Sequence, residues 1–154
     1  MRRLHSSQPL YRLIYCSRRV ACPPPGAPDP ELEQIAATSR RRNDLIGVTG
    51  ALLFTGAGFA QALEGSREAL DRLFEQIAAD PRHAEVTVLS FAPADRRRFP
   101  SNAMTVLAGL PSGMADPIDG LKPDPARDRP RLTTAGDILR LLEMMIRTEP
   151  AVAV

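Results

Sequence analysis

The chain has 154 residues, 44% apolar and 25% charged, which suits one compact domain and excludes wholesale disorder. No apolar run approaches the roughly 20 residues that a membrane span requires, the start MRRLHSSQPL carries no signal-type apolar stretch, and two cysteines, Cys16 and Cys22, make no disulfide framework, which fits a reducing cytoplasm. Twenty Lys and Arg against 18 Asp and Glu leave a net charge of +2, and with aromatics at 5% the runs Arg40-Arg41-Arg42 and Arg96-Arg97-Arg98 read as solvated faces rather than a nucleic-acid surface.

Proline and glycine divide the rest. Residues 1–9 form a polar tail, 10–108 the main domain, 109–132 a Pro/Gly-rich linker, and 133–148 an amphipathic helix. The first strand is Leu10 to Cys16, in which Tyr11, Leu13 and Tyr15 share one face and Arg12, Ile14 and Cys16 the other. After a proline-rich loop, Asp29 as N-cap, Pro30 at the first helical position and Glu31 and Glu33 in the first turn open a helix. Its stripe of Leu32, Ile35, Ala36, Ser39 and Asn43 begins apolar and ends polar.

A second strand is predicted from Ile46 to Phe54, a glycine-rich turn at 55–58, and a third strand from Phe59 to Glu64. Ser66 caps a second helix that buries Leu70, Leu73, Phe74 and Ile77. Val86 to Phe91 and Ala103 to Leu107 are the fourth and fifth strands. The order βαββαββ predicts an α+β, ferredoxin-like sandwich: a mixed, largely antiparallel sheet with two helices on one face. Ile14 and, depending on register, Leu53, Leu89 and Leu107 would leave the other face apolar, to be covered by the last helix through Ile138, Leu141, Leu142 and Met145. Thr134 with Asp137 gives that helix a capping box, and Pro150 follows its end.

Fold alone does not give function; misplaced polar groups do more. Gln61 shares its strand face with Phe59 and Leu63, so a primary amide points into the core. Left unpaired it would cost about 1–3 kcal/mol. Tyr15 brings a phenol to the same side, and Asn43 lies at the polar end of the first helix's inward stripe. Each has an ordinary alternative: a core glutamine bonded to backbone, a buried tyrosine, a helix C-cap. Together they suggest a polar heterocycle bound between helices and sheet. Asp80-Pro81-Arg82-His83 would place Arg82 and His83 at the pocket mouth for a phosphate, or else forms a solvated turn.

The segments LYRLIYCS, SRRRNDLIGVTGALLF, GFAQALEG, ADPRH and RRRFPSNAM, in uninterrupted order over about residues 10–107, resemble the BLUF family of domains that sense blue light using FAD. The resemblance implies non-covalent FAD, with FMN or riboflavin as substitutes, held between the two helices. It assigns Tyr15 as electron donor to the excited flavin, Gln61 as the bridge between that tyrosine and the ring, and Asn43 to the pyrimidine edge. Ser39 lies in the preceding motif, Ile35 and Ile77 flank the ring, Phe59 is the aromatic two before the glutamine, and Asp80, Arg82 and His83 lie near ribityl and phosphate groups. Met104 is the methionine of the last strand. Two positions depart from the family pattern: Asn102 stands where Trp is usual, and Arg42, beside ring and ribityl chain, where Asn or His is.

On this reading light rearranges the Gln61 hydrogen bonds, giving a red-shifted spectrum without turnover of any substrate. The last strand and terminal helix, whose Leu139, Met144 and Ile146 add apolar surface, would carry the signal to a protein partner or a dimer or larger homo-oligomer. Two alternatives share the fold. One is an acylphosphatase-like hydrolase using Arg82 and Asn43, against which the proline-rich loop after the first strand speaks. The other is a flavin-free sensing or interaction module.

Overall fold

The computed structural model describes residues 8–21, 23–24, 26–56, 58–100, 104–110, 113–114, 116–118 and 134–148. In chain order the elements are β1 (Leu10–Arg19), α1 (Pro30–Ile46), β2 (Thr49–Phe54), β3 (Gly58–Ser66), α2 (Arg67–Ala79), β4 (His83–Pro93), β5 (Thr105–Ala108) and α3 (Ala135–Thr148). The sheet order is β4-β1-β3-β2-β5, with β2 and β5 parallel and the other neighbours antiparallel. This is the expected ferredoxin-like α+β arrangement.

Local signals set the helix ends. The Asp29 carboxylate accepts from the Leu32 N–H at 3.2 Å, and the Ser66 hydroxyl from the Ala69 N–H at 3.1 Å. α1 runs through Ile46 and stops at Gly47, whose φ of 71° is the left-handed cap that glycine adopts without strain. The second strand therefore starts at Thr49, not at Ile46 as its hydrophobicity suggested. β1 and β4 outrun their predicted ends because they pair with each other, from Tyr11 opposite Pro93 to Arg19 opposite His83.

Each sheet face carries its own core. On one, Leu13, Tyr15, Leu52, Phe59 and Leu63 pack with Leu32 and Ala36 of α1 and Leu70, Leu73 and Ile77 of α2, while Phe74 is only partly buried. On the other, Ile14, Ala51, Leu53 and Leu107 pack with Ile138, Leu142 and Met145 of α3, and Leu141 is half-buried. The Thr134–Asp137 capping box forms as predicted, with N–H to side-chain bonds of 2.9 and 3.2 Å.

In the arginine run before β5, Arg96 and Arg98 are exposed as a solvated face would have them, whereas Arg97 is half-buried and bonded to the fold. Arg97 donates to Thr49 Oγ1 at 2.8 Å and to the carbonyls of Glu64 and Gly47 at 3.0 Å each. Arg98 gives its backbone N–H to the Glu64 carboxylate at 2.8 Å and its guanidinium to Glu143 of α3 at 3.0 Å. Element ends leave carbonyls without partners, and a guanidinium with five donors serves several at once. Arg40 likewise donates to the Met104 carbonyl at 3.0 Å.

Asn102, Cys22, Pro150 and most of the 109–132 stretch lie outside the described residues. Among the described residues no helix is long and apolar enough to cross a membrane.

Candidate functional site

Strand register brings the site together. Tyr15 of β1 and Gln61 of β3 are direct cross-strand partners, and Leu52 of β2 sits opposite Gln61 on its other side. These side chains form one row on the face that α1 and α2 cover. The Tyr15 hydroxyl donates to Gln61 Oε1 in a short bond, and Gln61 Nε2 donates to the Met104 sulfur at 3.4 Å. Tyr15 and Gln61 are both about 4% exposed or less, so neither has bulk water as an alternative. Burial pushes the Tyr15 phenol well above its ordinary range, opposed by the nearby Arg42 cation.

Between this row and the helices lies a cleft of about 560 Å³, counting the solvent at its mouth. Ile35, Ile77, Leu52 and Phe59 supply apolar walls; Ser39, Arg42, Gln61, Asp80, Arg82 and His83 supply polar edges. Such a slot suits a flat heterocycle with hydrogen-bonding rims. Asn43 is fully buried one turn beyond Ser39 but is not on the cleft wall; its backbone carbonyl accepts from the Val48 N–H at 2.9 Å at the end of α1. Met104 also stands behind the wall, reaching it through Gln61.

The mouth is more ordered than a solvated turn. Asp80 takes two side-chain donors of Arg82 and its backbone N–H at 2.9 Å, which holds the carboxyl below and the guanidinium above their usual ranges. His83 contacts the Ile77 carbonyl through Nε2 and Ser17 Oγ through Nδ1 at 2.7 Å. A carbonyl only accepts, so in the neutral ring Nε2 carries the proton and Nδ1 accepts from Ser17. Arg42 differs from these: its Nε is buried without a hydrogen-bond partner among the described residues.

Several contributors escape a reading of sequence. Thr38 and Gln76 line the cleft; Thr38 lies at helical spacing between Ile35 and Arg42, a usable signal. Leu52 is placed there by register alone. Ser17 and Arg19 follow Tyr15 at period two once β1 is extended. Arg19, 5% exposed, binds Asp29 through two 2.7 Å contacts and lies 4.7 Å from the Phe54 ring centroid and 5.8 Å from that of Phe59.

The BLUF family profile, described as sensors of blue-light using FAD, matches residues 10–105. Photoactivated adenylate cyclase subunit beta of Euglena longa is 38% identical over 71 residues, 46% of this chain and 8% of that protein. The blue light- and temperature-regulated antirepressor BluF of Escherichia coli K12 is 39% identical over 72 residues, 47% of this chain and 18% of that one. The chain thus spans less than a fifth of the length of either relative. The dark-state structure of BlrB, a BLUF protein, superposes with a TM-score of 0.66 at 33% identity, covering 90% of this chain and 96% of that one. Photo-activated BlsA gives a TM-score of 0.71 at 25% identity, covering 94% and 99%. The chain belongs to the BLUF family, the sensors of blue light using FAD.

Proposed function

We propose that this protein is a blue-light receptor holding FAD non-covalently in the cleft between α1, α2 and the sheet, with Tyr15, Gln61 and Met104 as its light-responsive network. The observation that carries this reading is the orientation of Gln61, whose amide accepts from the Tyr15 hydroxyl and donates to the Met104 sulfur. The residues fit such a ligand. Ile35 and Ile77 provide faces for a flat ring, and the Arg42 Nε, without a hydrogen-bond partner among the described residues, offers a donor. Ser39, Phe59 and Asn43 complete the ring site, and Asp80, Arg82 and His83 lie toward the ribityl and phosphate groups. FMN or riboflavin would satisfy the ring contacts equally.

The bound flavin supplies absorption of blue light and, once excited, a strong one-electron oxidant. Tyr15 is the oxidisable side chain of the wall, and the Gln61 Oε1 is the first acceptor for its phenolic proton. A thioether is a weak acceptor, so the amide loses little on leaving Met104. Turned over, Gln61 would offer Nε2 to the Tyr15 oxygen, a second arrangement of similar energy. That change reaches Met104 directly, and through it β5 and α3, whose surface would pass the signal to a protein partner or a second copy. The acylphosphatase alternative is weaker, because the Asp80 carboxylate already holds the Arg82 guanidinium that would bind the phosphate.

A light-minus-dark spectrum tests the reading. The reconstituted chain should be yellow and show a reversible red shift under blue light; Tyr15→Phe should stay yellow and lose the shift. A normal shift in the Phe variant refutes the role given to Tyr15, and a chain that takes up no flavin refutes the receptor.

A further inference from the structure

Among the described residues, Arg42 is a cleft cation with no ion pair. Its Nε is buried without a hydrogen-bond partner among the described residues. Both oxygens of Asp80, the carboxylate that shares the cleft, are engaged by Arg82. Burial lowers the Arg42 pKa from its ordinary value, with Tyr15 and Asp80 opposing that shift and Arg82 adding to it. A half-buried cation with a buried, unpartnered N–H carries a cost that falls when an electron-rich partner arrives.

Resting on the flavin reading above, we infer that Arg42 makes this cleft selective for the reduced, anionic form of its flavin over the oxidised form, and so raises the potential of the bound cofactor. Taking up two electrons and one proton gives a neutral flavin one net negative charge, and a fixed cation beside the ring stabilises that charge. Asn at this position would offer hydrogen bonds without the charge, and His would carry the charge only at low pH. The groups around Arg42 are Tyr15 on β1, Glu68, Arg72 and Gln76 on α2, Asp80 and Arg82 after it, and His83 on β4. Of these, Asp80 and Arg82 neutralise each other, and Glu68 pairs with Arg72 at 2.9 Å on the outer side.

The test is a redox titration of the full flavin-loaded chain, followed by absorbance. Arg42→Gln should lower the ratio of affinities for reduced over oxidised flavin about tenfold, which is about 30 mV for a two-electron couple, whereas Arg42→Lys should keep most of the wild-type value. Arg42→His keeps an N–H donor and supplies a titrating charge. Its potential should follow wild type at low pH and fall away from it above about pH 6.5, with His83 common to both curves. A merely structural role for Arg42 would not produce that inflection. A His curve parallel to wild type, or a flavin-loaded Gln variant with an unmoved potential, overturns the inference while the receptor reading stands. A wild-type chain that remains colourless after reconstitution overturns both.

Discussion

At the scale of single residues, the informative feature is a polar group that has given up water. Gln61 is 3% exposed and has spent its acceptor on Tyr15 and one donor on sulfur. Gln61→Leu should therefore fold, bind flavin and stay spectrally silent in light, since both amide bonds vanish while the apolar volume is kept. Asn43→Ala should instead reduce flavin retention about tenfold or more, measured by equilibrium dialysis against free flavin. Unchanged retention would confine Asn43 to supporting the end of α1. Arg19 shows the opposite balance: a buried cation fully answered by Asp29 and, at 3.2 Å, by Glu31. Removing Asp29 with Ala strips α1 of its cap and Arg19 of its main anion. It should cost more than the about 1 kcal/mol of an N-cap alone, read by denaturant unfolding.

At the scale of elements, one carboxylate fastens the loop before β5. Glu64, fully buried on the α3 side of β3, accepts from Arg12 at 2.8 Å and from the backbone N–H groups of Arg98 and Phe99 at 2.8 and 3.0 Å. Glu64→Ala should destabilise by about 3–5 kcal/mol, because it strands the guanidinium of Arg12 and two backbone donors together. The neighbouring Arg98–Glu143 pair is partly exposed, and Glu143→Gln should cost no more than about 1 kcal/mol. β2 meets β3 at a place that only glycine fits: a Cβ on Gly50 would lie 2.1 Å from the Ala62 carbonyl oxygen. Gly50→Ala should therefore cost about 1–3 kcal/mol by thermal melting, through a forced shift of one strand.

For the whole molecule, the two carboxylates that hold the mouth and the start of α1 set the acid limit. Asp29 is depressed chiefly by its hydrogen bonds from Arg19, and Asp80 chiefly by those from Arg82. A carboxyl whose folded-state pKa is lowered adds stability above its unfolded value, near 3.9, and loses it as pH falls through the folded value. Stability should thus hold from neutral pH to about pH 4 and decline below it. Asp29→Asn should flatten that decline, the two curves converging at the acid end. Parallel curves in urea unfolding at several pH values would show that Asp29 adds nothing pH-dependent.

Caps and periodicity made most of the elements legible. Asp29-Pro30, Ser66 and the Thr134–Asp137 box each stand where the helices begin, because a side chain bonding a backbone N–H two or three residues on is a local event. The inward amide at Gln61 was legible for the same reason: strand alternation places it among Phe59 and Leu63. The start of β2 was misread because Ile46 is hydrophobic, yet Gly47 lets the helix continue past it. Within the 96–98 run Arg97 was misread, because its acceptors are the Thr49 hydroxyl and the carbonyls of Glu64 and Gly47, tens of residues away. Sequence by itself determined where the helices begin and which residues share the inward face of each strand. Only the tertiary structure decided that Tyr15 meets Gln61, that Leu52 and Thr38 join the wall while Asn43 stands behind it, and that the Arg42 Nε in the cleft has no hydrogen-bond partner among the described residues. Register and charge pairing are properties of segments brought together from far along the chain, and no local pattern encodes them.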